Sequence, residues 1–376
     1  MRTFYRTATA LVAAATMTAA VAACSPPVKK TDASTAAAAT AGSAADLGGM
    51  DALVTAAKKE GQLNVIALPP DWANYGEIIK AFGDKYGIKV NSAQPDGSSQ
   101  DEINAADQLK GQSGAPDVFD LSPAVATANV AKFAPYKVTT FASIADTLKD
   151  PAGTWTNDYG GYMSIGYDAA KVPAPTSLAD LLKPAYKGKV ALNGDPTQAG
   201  AAFAGVEMAA LASGGSADDI APGVAFFAKL KKAGNFLPVD PSPTTIESGQ
   251  TPVVFDWDYN NVAQAAKLTG KMQWKTYIPA DAVLGSYYVQ AISKDGPHPA
   301  AARLWEEYLF SDAGQNGFLK GAARPVLADA MIKAGTIDQA LYSALPKAEG
   351  TPVFPTDAQT TKTKEYLAAN WQKAIS

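Results

Sequence analysis

The chain has 376 residues, 47% of them hydrophobic and 18% charged, with a formal net charge of -4 and a mean hydropathy of -0.07. So apolar a chain with so little net charge does not stay disordered over most of its length, and it is long enough for two domains with cores of their own. Lys and Arg total 32 against 36 Asp and Glu without a basic cluster, which argues against a nucleic-acid partner. One Cys and one His exclude zinc fingers, Cys–His nucleophile pairs and disulfide scaffolds, and leave any Ser-His-Asp triad dependent on His298.

Arg2 and Arg6 precede an Ala-rich apolar stretch over residues 8–21, too short to span a bilayer but of the length of a signal-peptide core. It ends in Val21-Ala22-Ala23-Cys24, which resembles the lipobox of bacterial lipoproteins, where the Cys thiol is acylated and becomes the first mature residue. The pattern predicts a lipoprotein signal peptide over 1–23 and lipidation at Cys24. Residues 24–49 are rich in Ala, Ser, Thr and Gly with almost no large side chains, and read as a flexible tether.

Beyond it, residues 64–68 form an apolar run stopped by Pro69-Pro70, as a buried strand would be. Ile78, Ile79, Phe82 and Tyr86 share one face of a helix over 77–86 that Gly87 ends. A strand at 88–90, a helix at 101–112 and a strand at 118–121 complete a β-α-β-α-β order, which predicts a mainly parallel sheet with its ligand site beyond the strand carboxyl ends. After Gly160-Gly161 come a strand at 189–192, a helix opened by Asp195-Pro196 and continuing over 199–211, a helix at 219–233 and a strand at 252–257. A strand at 287–292 and helices at 299–310 and 361–374 follow, the last carrying Tyr366, Leu367 and Trp371 on one face.

The run His298-Pro299-Ala300-Ala301-Ala302-Arg303-Leu304-Trp305-Glu306-Glu307-Tyr308-Leu309, followed by Ser311-Asp312-Ala313-Gly314-Gln315, resembles the helix and S-x-x-G-Q turn of bacterial extracellular solute-binding proteins of ABC importers. Over roughly residues 60–376 the chain is similar to the group serving polyamines, thiamine, ferric iron and aminophosphonates. The resemblance implies an α/β, two-lobed periplasmic-binding-protein-like fold of type II, with two crossovers and an interlobe ligand cleft. Lobe 1 is expected over 50–160 and 280–376, lobe 2 over 161–279, with crossovers near 159–166 and 274–286. Hinge closure around the solute would then be read by a membrane permease.

Cleft residues are expected at strand ends. Asp71, Trp72 and Tyr75 follow the first strand and set a carboxylate beside two aromatic rings. Asp256, Trp257, Asp258 and Tyr259 stand where the 252–257 strand ends. If the strand runs on, alternation puts Asp256 and Asp258 on one side and Trp257 and Tyr259 on the other, and if a loop begins there all four converge on the cleft. Carboxylates give charge-assisted hydrogen bonds and ring faces attract ammonium groups, so the two segments suit an organic cation. Polyamine-binding relatives carry acidic and Trp residues in the corresponding region.

Ser98 is a further contact candidate, with Ser99 and Glu102 read as the capping box of the next helix. Thr197 follows Asp195, whose cap would occupy the helix N–H groups that an anion needs. Of Tyr287-Tyr288, a pair that invites comparison with ferric-binding relatives, strand alternation allows one to face the cleft, and Tyr287 is taken as that one. His298 reads as structural, and no G-x-S-x-G, P-loop, G-x-G-x-x-G or H-E-x-x-H motif occurs.

The expectation is therefore a non-enzymatic, monomeric transport receptor, lipid-anchored on the extracytoplasmic side, without metal or cofactor. It would bind a small solute, a polyamine-like organic cation first, and hand it to an ABC permease. Ferric iron and aminophosphonates or other anions are the alternatives within this class, and a secreted enzyme or adhesin on the same scaffold is the alternative outside it.

Overall fold

The structure is a computed structural model that describes residues 33–376. The signal-peptide and Cys24 expectations lie outside the described residues. The expected tether gives way to structure at Ala33: Ala33–Thr40 is a helix, a 3₁₀ turn spans Ala44–Leu47, and a second helix covers Met50–Glu60. Arg303, buried in the helix Pro299–Leu309, explains why. It donates from Nε to the Ala41 carbonyl at 2.8 Å and from Nη2 to the Ala39 carbonyl at 3.0 Å, holding the end of the first helix, while Ala38 is fully buried.

Ten strands carry the fold among the described residues. β1 (Gln62–Ile66) and β2 (Lys89–Ala93) pair in parallel, bridged by the helix Tyr75–Tyr86, which buries Ile78 and Phe82 and ends at Gly87 in the left-handed region. Phe82 meets the Trp305 ring edge-on at 5.2 Å in the core. β3 (Val118–Leu121) lies beside β1, and β4 (Phe133–Ala134) is a short edge piece. β5 (Thr156–Asp168) is almost wholly buried along its 13 residues. β6 (Val190–Leu192), β7 (Val253–Trp257) and β8 (Trp274–Tyr277) follow, then β9 (Gly285–Ser293) and β10 (Arg324–Pro325).

The order β3-β9-β5-β7-β6 makes one continuous sheet through two lobes. β5 changes partner midway. Its first part pairs with β9 and its second with β7 and β8, so β5 is the first crossover and the chain from β8 into β9 the second. The expected parallel order holds for β1–β2 and β6–β7, whereas β3–β9, β5–β9 and β5–β7 are antiparallel because the crossover strands return the chain. Gly161 makes the crossing possible: a Cβ there would lie 2.5 Å from Asp258 Oδ1 and 2.6 Å from the Tyr259 ring.

The C-terminal helix Asp357–Ile375 departs from a plain lobe 1 assignment. Its Trp371 packs edge-on against Phe227 of the helix Ala221–Ala233 in lobe 2, at 5.4 Å. Lys364 reaches back to the Ala124 carbonyl of lobe 1 at 3.4 Å, so the helix straps the lobes together.

Candidate functional site

A cavity of about 630 Å³ lies between the lobes at the strand ends, where β1, β2 and β3 run out on one side and β6 and β7 on the other. Lobe 1 presents Asp71, Asp96, Asp101, Glu102 and Asp120 to it, and lobe 2 presents Asp195, Asp240 and Asp256. Among the described residues Lys267 is the one base in the lining, and it is ion-paired with Asp71 across the cleft.

Trp72, Tyr288 and Asp120 line the cavity, with fully buried Tyr159 behind them. Trp72 Nε1 donates to the Tyr159 hydroxyl at 2.8 Å, and that hydroxyl donates to Asp120 Oδ2 at 2.8 Å. Tyr159 stacks on Tyr288 with centroids 5.6 Å apart, and Trp72 meets Tyr288 edge-on at 5.7 Å. Asp120, 6% exposed, keeps Oδ1 without a partner among the described residues. Burial pushes its pKa up to about 7 against the hydrogen bonds from Tyr159 and Tyr75, which pull it down. Opposite, burial raises Asp256 to about 6, although Asn260 Nδ2 donates to it at 3.1 Å and the Trp257 N–H at 2.7 Å. Glu102, also at the cavity wall, is held well above the usual carboxylate range by burial and by Asp120. Such groups take a proton or a cation readily, because their charge is poorly solvated.

The residues expected from sequence distribute unevenly. Asp71, Trp72, Ser98 and Asp256 line the cavity. Ser98 is itself the helix cap, in a capping box with Asp101, one residue before the expected register, while Ser99 Oγ accepts from the Ser122 N–H at 2.9 Å.

Tyr75 does not line the cavity. It opens its helix inside lobe 1, fully buried, where Gln290 Nε2 donates to its hydroxyl at 2.9 Å. Trp257, Asp258 and Tyr259 are not in the lining either, because β7 ends at Trp257 and a helix, Asp258–Lys267, starts at once. Asp258 is fully buried, paired with Arg324 at 2.6 Å, and accepts the Tyr162 N–H at 2.9 Å. Trp257 and Tyr259 stack on one another at 6.2 Å in the core.

Thr197 donates to Asp195 Oδ1 at 2.7 Å and is not in the lining. Asp195 closes this turn rather than capping a helix. The helix itself is Gly200–Ala212, and no side chain caps its first turn. Of the tyrosine pair it is Tyr288 that lines the cavity, and Tyr287 turns to stack on Phe354 at 6.0 Å. His298 is buried and held by Asp117 Oδ2 at 2.8 Å and by Gln62 Nε2 at 2.8 Å, away from the cleft. Asp120 is absent from the sequence expectations, although a carboxylate inside the run Val118-Phe119-Asp120-Leu121 is the same signal that singles out Asp256.

Two lobes joined by crossover strands, with an acidic cavity between them, are the architecture of a solute-binding protein. The chain belongs to the bacterial extracellular solute-binding protein family, whose sequence model matches residues 122–349. Membership puts the folded chain on the extracytoplasmic side. Among the described residues no helix is long and apolar enough to cross a membrane, and no group of three or more His, Cys, Asp or Glu is placed to hold a metal ion.

The fold is shared with solved structures of low identity. Iron-bound HitA from Pseudomonas aeruginosa has a TM-score of 0.60 at 20% identity, over 83% of this chain and 99% of that one. AfuA from Actinobacillus pleuropneumoniae with fructose-6-phosphate has a TM-score of 0.67 at 16% identity, over 84% and 99%. A putative spermidine/putrescine ABC transporter protein from Listeria monocytogenes has a TM-score of 0.60 at 12% identity, over 83% and 99%. They are periplasmic binding proteins of type II with two lobes, and the present chain has that fold. No curated protein matches the sequence.

Proposed function

We propose that this protein is the lipid-anchored, monomeric substrate-binding subunit of an ABC importer, and that it captures an organic cation of polyamine type without turnover. The observation that carries the ligand class is the acidity of the cleft lining: eight carboxyl groups, Asp71, Asp96, Asp101, Glu102, Asp120, Asp195, Asp240 and Asp256, against Lys267 paired with Asp71. Burial holds Glu102, Asp120 and Asp256 toward the protonated form, which a bound cation reverses. Asp120 and Asp256 reach it from opposite lobes, so one ammonium group on each draws the lobes together. The rings of Trp72 and Tyr288 cover the chain between them. Partnership with a permease follows the family, and anchoring through Cys24 follows the lipobox.

The test is a thermal-shift and calorimetric screen with spermidine, putrescine, thiamine, aminophosphonates, phosphate and ferric citrate. Ligand at a hundred times its dissociation constant stabilises the fold by about 2.7 kcal/mol. A shift with amines supports the reading, and a shift confined to phosphate or ferric citrate overturns it.

A zwitterion is the second reading. The uncapped first turn of Gly200–Ala212 opens on the cavity and can receive an anionic end while Asp120 takes the ammonium. Aminophosphonates that bind tighter than the parent amines decide for it.

A further inference from the structure

A second cavity, of about 660 Å³, borders the first at Gly200 and Tyr288, which line both. Its walls come from both lobes and from the strap before the C-terminal helix. Trp155 and Tyr287 stand on one side, Phe203 and Trp257 on the other, and Phe354 closes over Tyr287. Among the described residues no Lys or Arg lines it.

Glu207 is the anomaly there. It sits inside the helix Gly200–Ala212 among Val206, Met208 and Ala209, where a Leu or Met would pack at no electrostatic cost. It is 6% exposed, its Oε1 has no hydrogen-bond partner, and it is engaged in no ion pair among the described residues. Buried carboxyls without partners are rare in folded proteins, because nothing repays their lost hydration. The side chain nevertheless lines a space large enough for a small organic molecule, with aromatic faces around it.

We infer that this cavity is a second ligand site, distinct from the cleft, for an organic amine with a single ammonium group and an aromatic or aliphatic body. Glu207 takes the ammonium as a charge-assisted hydrogen bond, and the rings of Trp155, Phe203 and Trp257 take the body. An anion has no counter-charge there, and the two carboxylates of the lining, buried Glu207 and exposed Asp357, belong to no group of three or more metal-ligating side chains among the described residues. Desolvation raises the Glu207 pKa to about 8, so an amine that stays protonated above that pH meets the ionised acid. The site does not depend on which solute the cleft holds.

The test is calorimetry at pH 8.5 on the full chain, with phenethylamine as the probe for this cavity and spermidine for the cleft. Wild type is compared with Glu207→Gln, Trp155→Ala and Asp256→Asn. Phenethylamine is expected to bind one to one in the wild type, at least tenfold more weakly in Glu207→Gln and Trp155→Ala, and unchanged in Asp256→Asn. Glu207→Gln removes an unpaired buried charge and is expected to fold, which its thermal transition checks. Should it fail to fold, Trp155→Ala, on the cavity rim, decides the question. Absence of saturable phenethylamine binding overturns the inference, as does wild-type affinity in both cavity variants or an equal loss in Asp256→Asn, which would put the amine in the cleft. Failure of spermidine to bind concerns the cleft alone.

Discussion

Tyr159 donates its hydroxyl proton to Asp120 Oδ2 at 2.8 Å, and this bond fixes the carboxylate with Oδ1 unpartnered in the cleft wall. Trp72 donates to the same Tyr159 oxygen, so the loop after β1 and the cleft wall are held as one unit. Asp120→Asn keeps the shape and removes the charge. Spermidine affinity at pH 7.5 is expected to fall more than tenfold, as the loss of a charge-assisted hydrogen bond of about 1.5–3 kcal/mol requires. The thermal transition without ligand should stay or rise, because an ill-solvated charge has gone. Tyr159→Phe should weaken binding at pH 7 and less at pH 8.5, since without the donated proton Asp120 ionises later. Calorimetry at the two pH values checks both, and a pH-independent loss in Tyr159→Phe would mean that the hydroxyl acts by packing alone.

The acids of the core set the pH dependence of stability. Burial raises Asp256 to about 6, Asp120 to about 7 and Glu306 to about 8, whereas such groups titrate near 4 in an unfolded chain. Between those values the folded state binds more protons than the unfolded one, so stability falls as pH rises from about 4 to about 8. The melting temperature of the ligand-free protein is expected to be higher at pH 5.5 than at pH 8. A bound ammonium at Asp120 and Asp256 pulls their pKa values down, so saturating spermidine should flatten the slope and release protons at pH 6. Scanning calorimetry across this range, with and without spermidine, reads it. A melting temperature that climbs from pH 5.5 to 8 in the free protein contradicts the assignment.

The frame is readable in the sequence where periodicity and burial agree. The apolar runs of β1, β3, β6, β7 and β9 announce themselves, as does the face of Ile78 and Phe82. Cavity-lining residues are legible in the loop that follows an apolar run, as Asp71 and Trp72 are. They are not legible at a strand-to-helix junction. Asp258 and Tyr259 read as a strand's end or a loop, but a helix begins there without a break and turns both into the core. The Ala-rich segment from Ala33 misleads for another reason: its anchor, Arg303, stands 262 residues beyond Ala41, and composition carries no trace of so distant a partner.

That anchor leads to a prediction for the N-terminal helices. Arg303 donates to three carbonyls, of Ala39, Ala41 and Pro299, and its guanidinium lies 5.5 Å from the Tyr136 ring centre. Arg303→Met retains the stem and loses the donors, leaving buried carbonyls unsatisfied. Limited proteolysis is expected to cut within residues 33–49 much faster than in the wild type, while spermidine affinity stays within twofold. Wild-type resistance would show that Ala38 and its neighbours hold the segment by packing alone.

The two lobes come close together at Gly200. A Cβ at this position would stand 2.5 Å from Cβ of Ser122, at the end of β3, and 3.1 Å from the Tyr288 hydroxyl. Gly200 opens the lobe 2 helix and Ser122 belongs to lobe 1, so the missing side chain lets the lobes meet between the two cavities. Gly200→Val places an isopropyl group in that contact, and overpacking of this kind costs about 1–3 kcal/mol. The cost falls on the closed form, because opening relieves it. Spermidine affinity is therefore expected to fall about 5- to 150-fold, and X-ray scattering should show a larger radius of gyration for the variant with spermidine than for the wild type. Ser122→Gly in the same chain removes the opposing Cβ and should restore much of the affinity. If Gly200→Val binds as the wild type does, the lobes do not close on this contact, and the ligand is held without Gly200 and Ser122 meeting.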